Sequence, residues 1–268
     1  MSPGKDFSFE ENKMSAGEVF FEEGLTNLYA GKYKEAEEKL KKAIELEPKS
    51  GLYYTNLGVV MDYMGLPEKA LDNYKTAAEL EPENSGILYN LGTACMHRGK
   101  HKEAAETLQK LVDLNQDNSY YNYNLGSAYF FLNQFDEALV YYNKALKMRP
   151  NDHLWNFSAG LACRKSGEYT QAIKYFQKAL QLKPGEASYY YALGNTYHCM
   201  EDTKNAIIYY EKAVAINPEQ PDYYYYYGIV LEMEELLDEA TEAFEEALAL
   251  EPKNETYKNA LKAIMAKY

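Results

Sequence analysis

A glycine returns every 34 residues along this chain, at Gly24, Gly58, Gly92, Gly126, Gly160, Gly194 and Gly228. A spacing held through seven periods without an insertion fits one supersecondary unit per period, stacked in a linear array in which each unit buries its apolar face against its neighbours. Alanine follows twelve residues after each glycine, at Ala36, Ala70, Ala104, Ala138, Ala172, Ala206 and Ala240. Seven residues later comes a second series, Ala43, Ala77, Leu111, Ala145, Ala179, Ala213 and Ala247, in which only Leu111 is large. Proline closes the periods at Pro48, Pro82, Pro150, Pro184, Pro218 and Pro252, with Gln116 standing in the third. The periodic region runs over residues 17–254, as units 17–50, 51–84, 85–118, 119–152, 153–186, 187–220 and 221–254.

Each unit reads as two helices, so the fold class is all-α. In the first unit Tyr33, Ala36, Leu40, Ala43 and Ile44 fall at i, i+3, i+7, i+10 and i+11, one apolar stripe along the second helix. The turn before that helix needs a residue that accepts positive φ, and Gly31, Gly65, Gly99, Asn133 and Gly167 supply it. Glu201 and Glu235 stand in the slot in units six and seven, where the side chain does not favour that geometry. Proline then stops the second helix, because it lacks an N–H and pushes the preceding residue out of the helical region. The recurring glycine and the first alanine predict a close approach of the two helices, since a glycine inside a helix costs about 1 kcal/mol relative to alanine and tight packing must offset it.

These residues resemble a tetratricopeptide repeat. The segments EYTQAIKYFQKALQLKP (Glu168 to Pro184) and KYKEAEEKLKKAIELEP (Lys32 to Pro48) agree at every spacing position, and the resemblance covers 238 of the 268 residues. It implies an α-solenoid, a right-handed superhelix of antiparallel helix pairs. The large aromatic that the family favours four residues before the glycine is Phe20, Tyr54, Tyr190 or Tyr224, while Leu88, Asn122 and Asn156 depart from it and Trp155 stands one place early. Residues 255–268 place Tyr257, Ala260, Leu261, Ile264 and Met265 on one helical face and Lys258, Lys262 and Lys267 elsewhere, as a solvating cap over the last repeat requires. Residues 1–16 are polar and expected to be loose, with Phe7 and Phe9 able to dock elsewhere.

Charge excludes some partners. The 28 Lys and Arg against 41 Asp and Glu leave a net charge of −13, which repels nucleic-acid phosphates and anionic lipid surfaces. No apolar run approaches the ~18 residues of a membrane span, the opening residues lack a signal-peptide pattern, and the chain is expected to be cytoplasmic. Cys95, Cys163 and Cys199 are far apart in sequence and expected to be reduced.

Catalytic signatures are not found: there is no phosphate loop, GxGxxG, HExxH or CxxC. His97 and His101 are separated by the turn glycine Gly99 and give no three- or four-ligand zinc set. Cys95 and Cys163 occupy one repeat position and read as core, and Cys199 beside His198 points away from it by about 100°. Acid pairs such as Glu22 and Glu23, or Glu234 and Glu235, read as solvated helix faces. A non-catalytic chain without metal or cofactor is the expectation.

The resemblance implies where a ligand would lie, because tetratricopeptide arrays contact ligands mainly through positions two, five, six, nine and twelve of each first helix, on the concave face. Position five carries Phe21, Thr55, Tyr89, Tyr123, Phe157, Tyr191 and Tyr225; position six carries Asn56, Asn90 and Asn124 in succession. An asparagine amide can meet both the N–H and the C=O of a peptide unit, and first helices roughly 10 Å apart would present one amide to about every third residue of an extended ligand. Positions nine and twelve add Thr93, Ser127 and Phe130, Leu161 and Arg164, Asn195 and His198. The expected partner is a protein or peptide with apolar or aromatic anchors. Tyrosine at five and asparagine at six are also common in the family's average repeat and equally compatible with scaffolding alone. Chaperone-binding members hold a C-terminal carboxylate with lysine at position five and asparagine at nine; here five never holds lysine and nine holds asparagine only at Asn195, so that clamp is not expected. The alternative function is a scaffold that forms a homo-oligomer through its ends or outer surfaces, including Leu261 and Ile264.

Overall fold

A computed structural model describes residues 14–267; Phe7 and Phe9 lie outside the described residues. The helices gather into two compact units, one ending at Asn115 and the other beginning at Gln116, where the periodic proline is missing. The N-terminal unit holds α1 (Ala16–Tyr29), α2 (Tyr33–Leu46), α3 (Gly51–Tyr63), α4 (Pro67–Leu80), α5 (Ser85–His97) and α6 (His101–Leu114). The C-terminal unit holds α7 (Ser119–Phe131), α8 (Phe135–Met148), α9 (His153–Lys165), α10 (Tyr169–Leu182), α11 (Ala187–Cys199), α12 (Thr203–Ile216), α13 (Pro221–Met233), α14 (Leu237–Leu250) and α15 (Glu255–Met265). Among the described residues every regular element is a helix, and consecutive helices pack as antiparallel pairs.

Each pair closes through a three-residue turn. After α1, Gly31 takes φ +71° while Lys32 N–H donates to Asn27 O at 2.8 Å and Gly31 N–H donates to Leu28 O at 3.0 Å. This Schellman arrangement satisfies carbonyls that the helix end would leave bare. The two glutamate turns adopt it too: Glu201 and Glu235 sit at φ +60° and +62°, with Asp202 N–H on Tyr197 O and Leu236 N–H on Leu231 O. The surrounding hairpin therefore overrides the side chain's preference. First helices start on side-chain caps where the residue allows, as when Asn84, Asn118, Asp152 and Asn254 each accept from two amides of the following turn.

The two alanine series are fully enclosed in both units. The recurring glycine does more than admit a neighbouring alanine: a large side chain four residues beyond that alanine lies flat over it. A Cβ on Gly160 would stand 2.6 Å from the Phe176 ring, and one on Gly194 would stand 2.7 Å from Tyr210; Leu40 and Leu108 cover Gly24 and Gly92 in the N-terminal unit. Asn122 and Asn156, which break the aromatic pattern, are buried and donate to the chain before their own helices, to Gln116 O and Asn118 O and to Pro150 O and Asp152 O. The cap α15 covers α14 with Tyr257 and Ile264 buried, while Leu261 packs against the same cluster and stays half-buried. Met265, expected on that face, is 58% exposed, because the helix ends there.

Candidate functional site

First helices pack side by side within each unit, α1 on α3 on α5, and α7 on α9 on α11 on α13. Every residue expected to contact a ligand lies on these helices; Phe21 and Thr55 are buried and the others half-buried.

In the N-terminal unit Asn56 donates its amide to Leu52 O at 2.9 Å, and the Thr93 hydroxyl donates to Tyr89 O at 2.9 Å, both within their own helices. Asp62, at position twelve, accepts from the Tyr74 hydroxyl and from Arg98, each at 2.9 Å. The Asn90 amide is bonded to no other described group. A cavity of about 530 Å³ opens on this helix face between Phe21, Glu22, Leu52 and Tyr53.

In the C-terminal unit the position-five rings are built into contacts between repeats. Tyr123 stacks on Trp155 at 5.1 Å, Phe157 lies 4.7 Å from Tyr189, Tyr191 lies 4.7 Å from Tyr223, and Tyr225 lies 5.1 Å from Tyr257. Each partner comes from the third position of the next first helix, which explains Trp155: it fills an aromatic slot shared with Tyr189, Tyr223 and, in the other unit, Tyr53. Reading the third position down the 34-residue register would have shown this slot. Phe157 also meets Phe176, and Tyr123 bonds Ser158 at 3.1 Å, so these rings are left with edges and part-covered faces exposed.

The smaller polar groups divide sharply. Ser127 donates to Tyr123 O and accepts from the Tyr142 hydroxyl, and Asn195 accepts from the Tyr210 hydroxyl at 2.9 Å. Asn124, like Asn90, is bonded to no other described group. Phe130 makes edge contacts with Phe131 and Phe135, and Leu161 packs beside Cys163 and Phe176. Arg164 forms no ion pair among the described residues, and its Nε is buried without a partner. Burial lowers the His198 pKa and favours the neutral ring.

Nucleophilic chemistry has little support from these environments. Burial pushes the Cys163 thiol up to about 11 and raises Cys95 as well, which suppresses the thiolate; Cys199 is exposed. Among the described residues no three His, Cys, Asp or Glu side chains gather at metal-binding distance, and no helix is long and apolar enough to cross a membrane.

Tetratricopeptide-repeat models match residues 17–50 and 221–254, 63–125 and 123–187, and a model of regulator of microtubule dynamics protein 1-3 matches residues 157–226. No curated protein matches the chain. Among solved structures, a tetratricopeptide repeat protein from Parabacteroides merdae is 22% identical with a TM-score of 0.66, covering 93% of this chain and 98% of its own. The C-terminal part of a repeat protein from Cytophaga hutchinsonii is 22% identical with a TM-score of 0.71, covering 90% and 99%. YrrB, described as a TPR protein with an unusual peptide-binding site, is 27% identical with a TM-score of 0.59, covering 67% and 92%. The matched segments, the paired helices and the glycine and alanine register agree: this chain belongs to the tetratricopeptide-repeat family.

Proposed function

We propose that the chain is a non-catalytic protein-interaction scaffold whose first-helix faces hold a peptide or helical segment of a partner protein. The observation that carries this reading is the difference among the polar side chains on those faces. Asn56, Thr93, Ser127 and Asn195 are committed to hydrogen bonds within their own units, whereas Asn90 and Asn124 are held half-buried with their amides uncommitted. A part-exposed amide with no partner inside the protein is free to meet a peptide N–H and C=O, giving an acceptor to one and a donor to the other. The adjoining rings, Tyr89 and Tyr123, give apolar area for anchors at little entropic cost. The likeness to YrrB supports the same reading.

Selection of a random peptide library on the immobilised protein tests it, run beside the Asn90→Ala, Asn124→Ala double variant. The expected result is a common motif on the wild type that the variant loses, with the thermal transition of the variant shifted by only a few degrees. Enrichment of nothing on the wild type, or of the same motif on both proteins, overturns the proposal.

A further inference from the structure

One second-helix position carries lysine in five of the seven repeats: Lys42, Lys110, Lys144, Lys178 and Lys212, with Thr76 in the second and Glu246 in the seventh. Three of these lysines lie over aromatic rings of their own repeat. The Lys42 ammonium is 5.8 Å from the Phe20 ring centre, Lys144 is 4.6 Å from Tyr141, and Lys212 is 6.0 Å from Tyr190 and 5.6 Å from Tyr209. Such distances lie within the range at which a ring's negative face attracts a cation.

The seventh repeat keeps the ring and removes the cation. Tyr224 occupies the place of Phe20 and Tyr190, Glu246 replaces the lysine, and Ala243 replaces the bulky Lys39 or Tyr209 one turn earlier. The result is a cavity of about 330 Å³ between α13 and α14, walled by Tyr224 and Tyr227 and edged by Glu239, Glu242, Glu245 and Glu246. None of these four glutamate side chains forms an ion pair or a side-chain hydrogen bond among the described residues, unlike Glu232, which pairs with Lys267 at 2.8 Å, or Asp222, which accepts a hydrogen bond from Tyr257 at 2.6 Å. The surrounding sequence reinforces the field: between Lys212 and Lys253 stand eleven Asp and Glu and no Lys, Arg or His.

We propose that this cavity receives the lysine or arginine side chain of a basic segment of a partner protein, the incoming cation taking the place over Tyr224 that a lysine of the chain itself takes in the first and sixth repeats. The ring supplies the face, and the glutamates compensate the charge and draw basic segments toward it. The cavity uses positions four and seven of its first helix, apart from the positions proposed above to hold a ligand, and its use does not depend on a ligand there. Burial and the neighbouring Glu246 raise the Tyr224 pKa, which keeps its hydroxyl neutral beside the incoming cation.

Fluorescence anisotropy of a labelled, amidated hexalysine peptide, titrated with the full chain at physiological ionic strength, tests the assignment. Glu246→Lys restores the lysine of the other repeats and is expected to weaken binding about tenfold, and Tyr224→Leu about threefold, at unchanged helical content. Glu83→Lys makes the same change in net charge on an exposed site of the other unit and is expected to weaken it less than about twofold. The Asn90→Ala, Asn124→Ala variant should bind the peptide like the wild type. Equal losses for Glu246→Lys and Glu83→Lys would reduce the effect to general charge attraction and overturn the proposal, as would no binding by the wild type or a loss in the asparagine variant.

Discussion

Thr55 and Phe157 occupy the same position of the repeat and use it differently: in the C-terminal unit every such junction is ring on ring, whereas in the N-terminal unit Phe21 stacks on Tyr53 at 4.7 Å but Thr55 breaks the series. In the N-terminal unit Thr55 is buried and turns its hydroxyl to Gly51 O at 2.8 Å, inside its own helix, while Ile87 fills the third position of the next first helix. In the C-terminal unit Phe157 lies against both Tyr189 and Phe176, and the neighbouring junctions are likewise ring on ring. The turns differ as well. The N-terminal unit places glycine at all three positive-φ positions, whereas the C-terminal unit has Asn133, Glu201 and Glu235 beside Gly167. The alanines and the recurring glycine close every hairpin in the same way, so the contrast shows which parts of the repeat are free to vary: the junctions between hairpins and the residue that turns the chain.

The largest effect should come from removing a ring. Phe157→Ala deletes a side chain in contact with two others and is expected to cost about 3–5 kcal/mol, whereas Thr55→Ala loses a small side chain whose hydroxyl serves only its own helix and should cost about 1 kcal/mol. Repeat arrays do not unfold as one block, so the comparison needs a local readout. Urea unfolding followed by the fluorescence of Trp155, the chain's one tryptophan, reports the C-terminal unit. Hydrogen exchange of α3 and α4 reports the other. Comparable losses in the two variants would mean that ring stacking adds little beyond small-residue packing.

Base should separate the units next. Burial pushes the hydroxyls of Tyr189 and Tyr191 up to about 12 and raises Tyr142, Tyr210 and Tyr257 as well, all in the C-terminal unit; in the N-terminal unit Tyr53 rises to about 12, and Tyr74 is also raised. An unfolded tyrosine loses its proton near pH 10. The folded state holds that proton more tightly, so this contribution to stability is fully present below about pH 10 and is lost as pH climbs toward 12. With more such groups, the C-terminal unit should unfold first. Trp155 fluorescence should change while part of the far-ultraviolet helical signal remains; a single coincident transition would contradict this.

Much of the architecture was legible in the sequence because glycine and alanine have few roles at a 34-residue spacing. The helix pairs and the turn slot follow from them, the cap follows from the apolar stripe of Tyr257, Ala260, Leu261 and Ile264, and Cys95 and Cys163 are buried as the register suggests. The site was less legible. Position and residue type placed Tyr123, Phe157 and Tyr191 on the first helices, but a ring that packs on the next repeat has the same sequence signature as one that waits for a ligand, and only the third-position partners Trp155, Tyr189 and Tyr223 distinguish them. The role of the glycine was read from the alanine near it, whereas the ring of Phe176 or Tyr210 four residues further on sets the clearance. Hydrogen-bond commitment, which separates Asn90 and Asn124 from Asn56 and Asn195, depends on side-chain geometry that spacing does not encode.

The turns give the smallest effect and the most direct test of the difference between the units. At φ +60° and +62°, Glu201 and Glu235 occupy the left-handed region, where a Cβ costs roughly 1 kcal/mol or more, and each nevertheless completes the same pair of turn hydrogen bonds as Gly31. Glu201→Gly and Glu235→Gly should therefore stabilise the C-terminal unit by about 0.5–1 kcal/mol each, the relief of strain being partly offset by the greater freedom of glycine in the unfolded chain. Gly65→Ala, at φ +71°, should destabilise the N-terminal unit by a similar amount, since nothing lies within 4 Å of the added Cβ and backbone strain alone decides the outcome. Paired urea titrations measure both signs. If the glutamate variants lose stability instead, those side chains hold the turns through contacts worth more than the strain, and the difference between the units lies in how the turns are held and not in how well the residue fits.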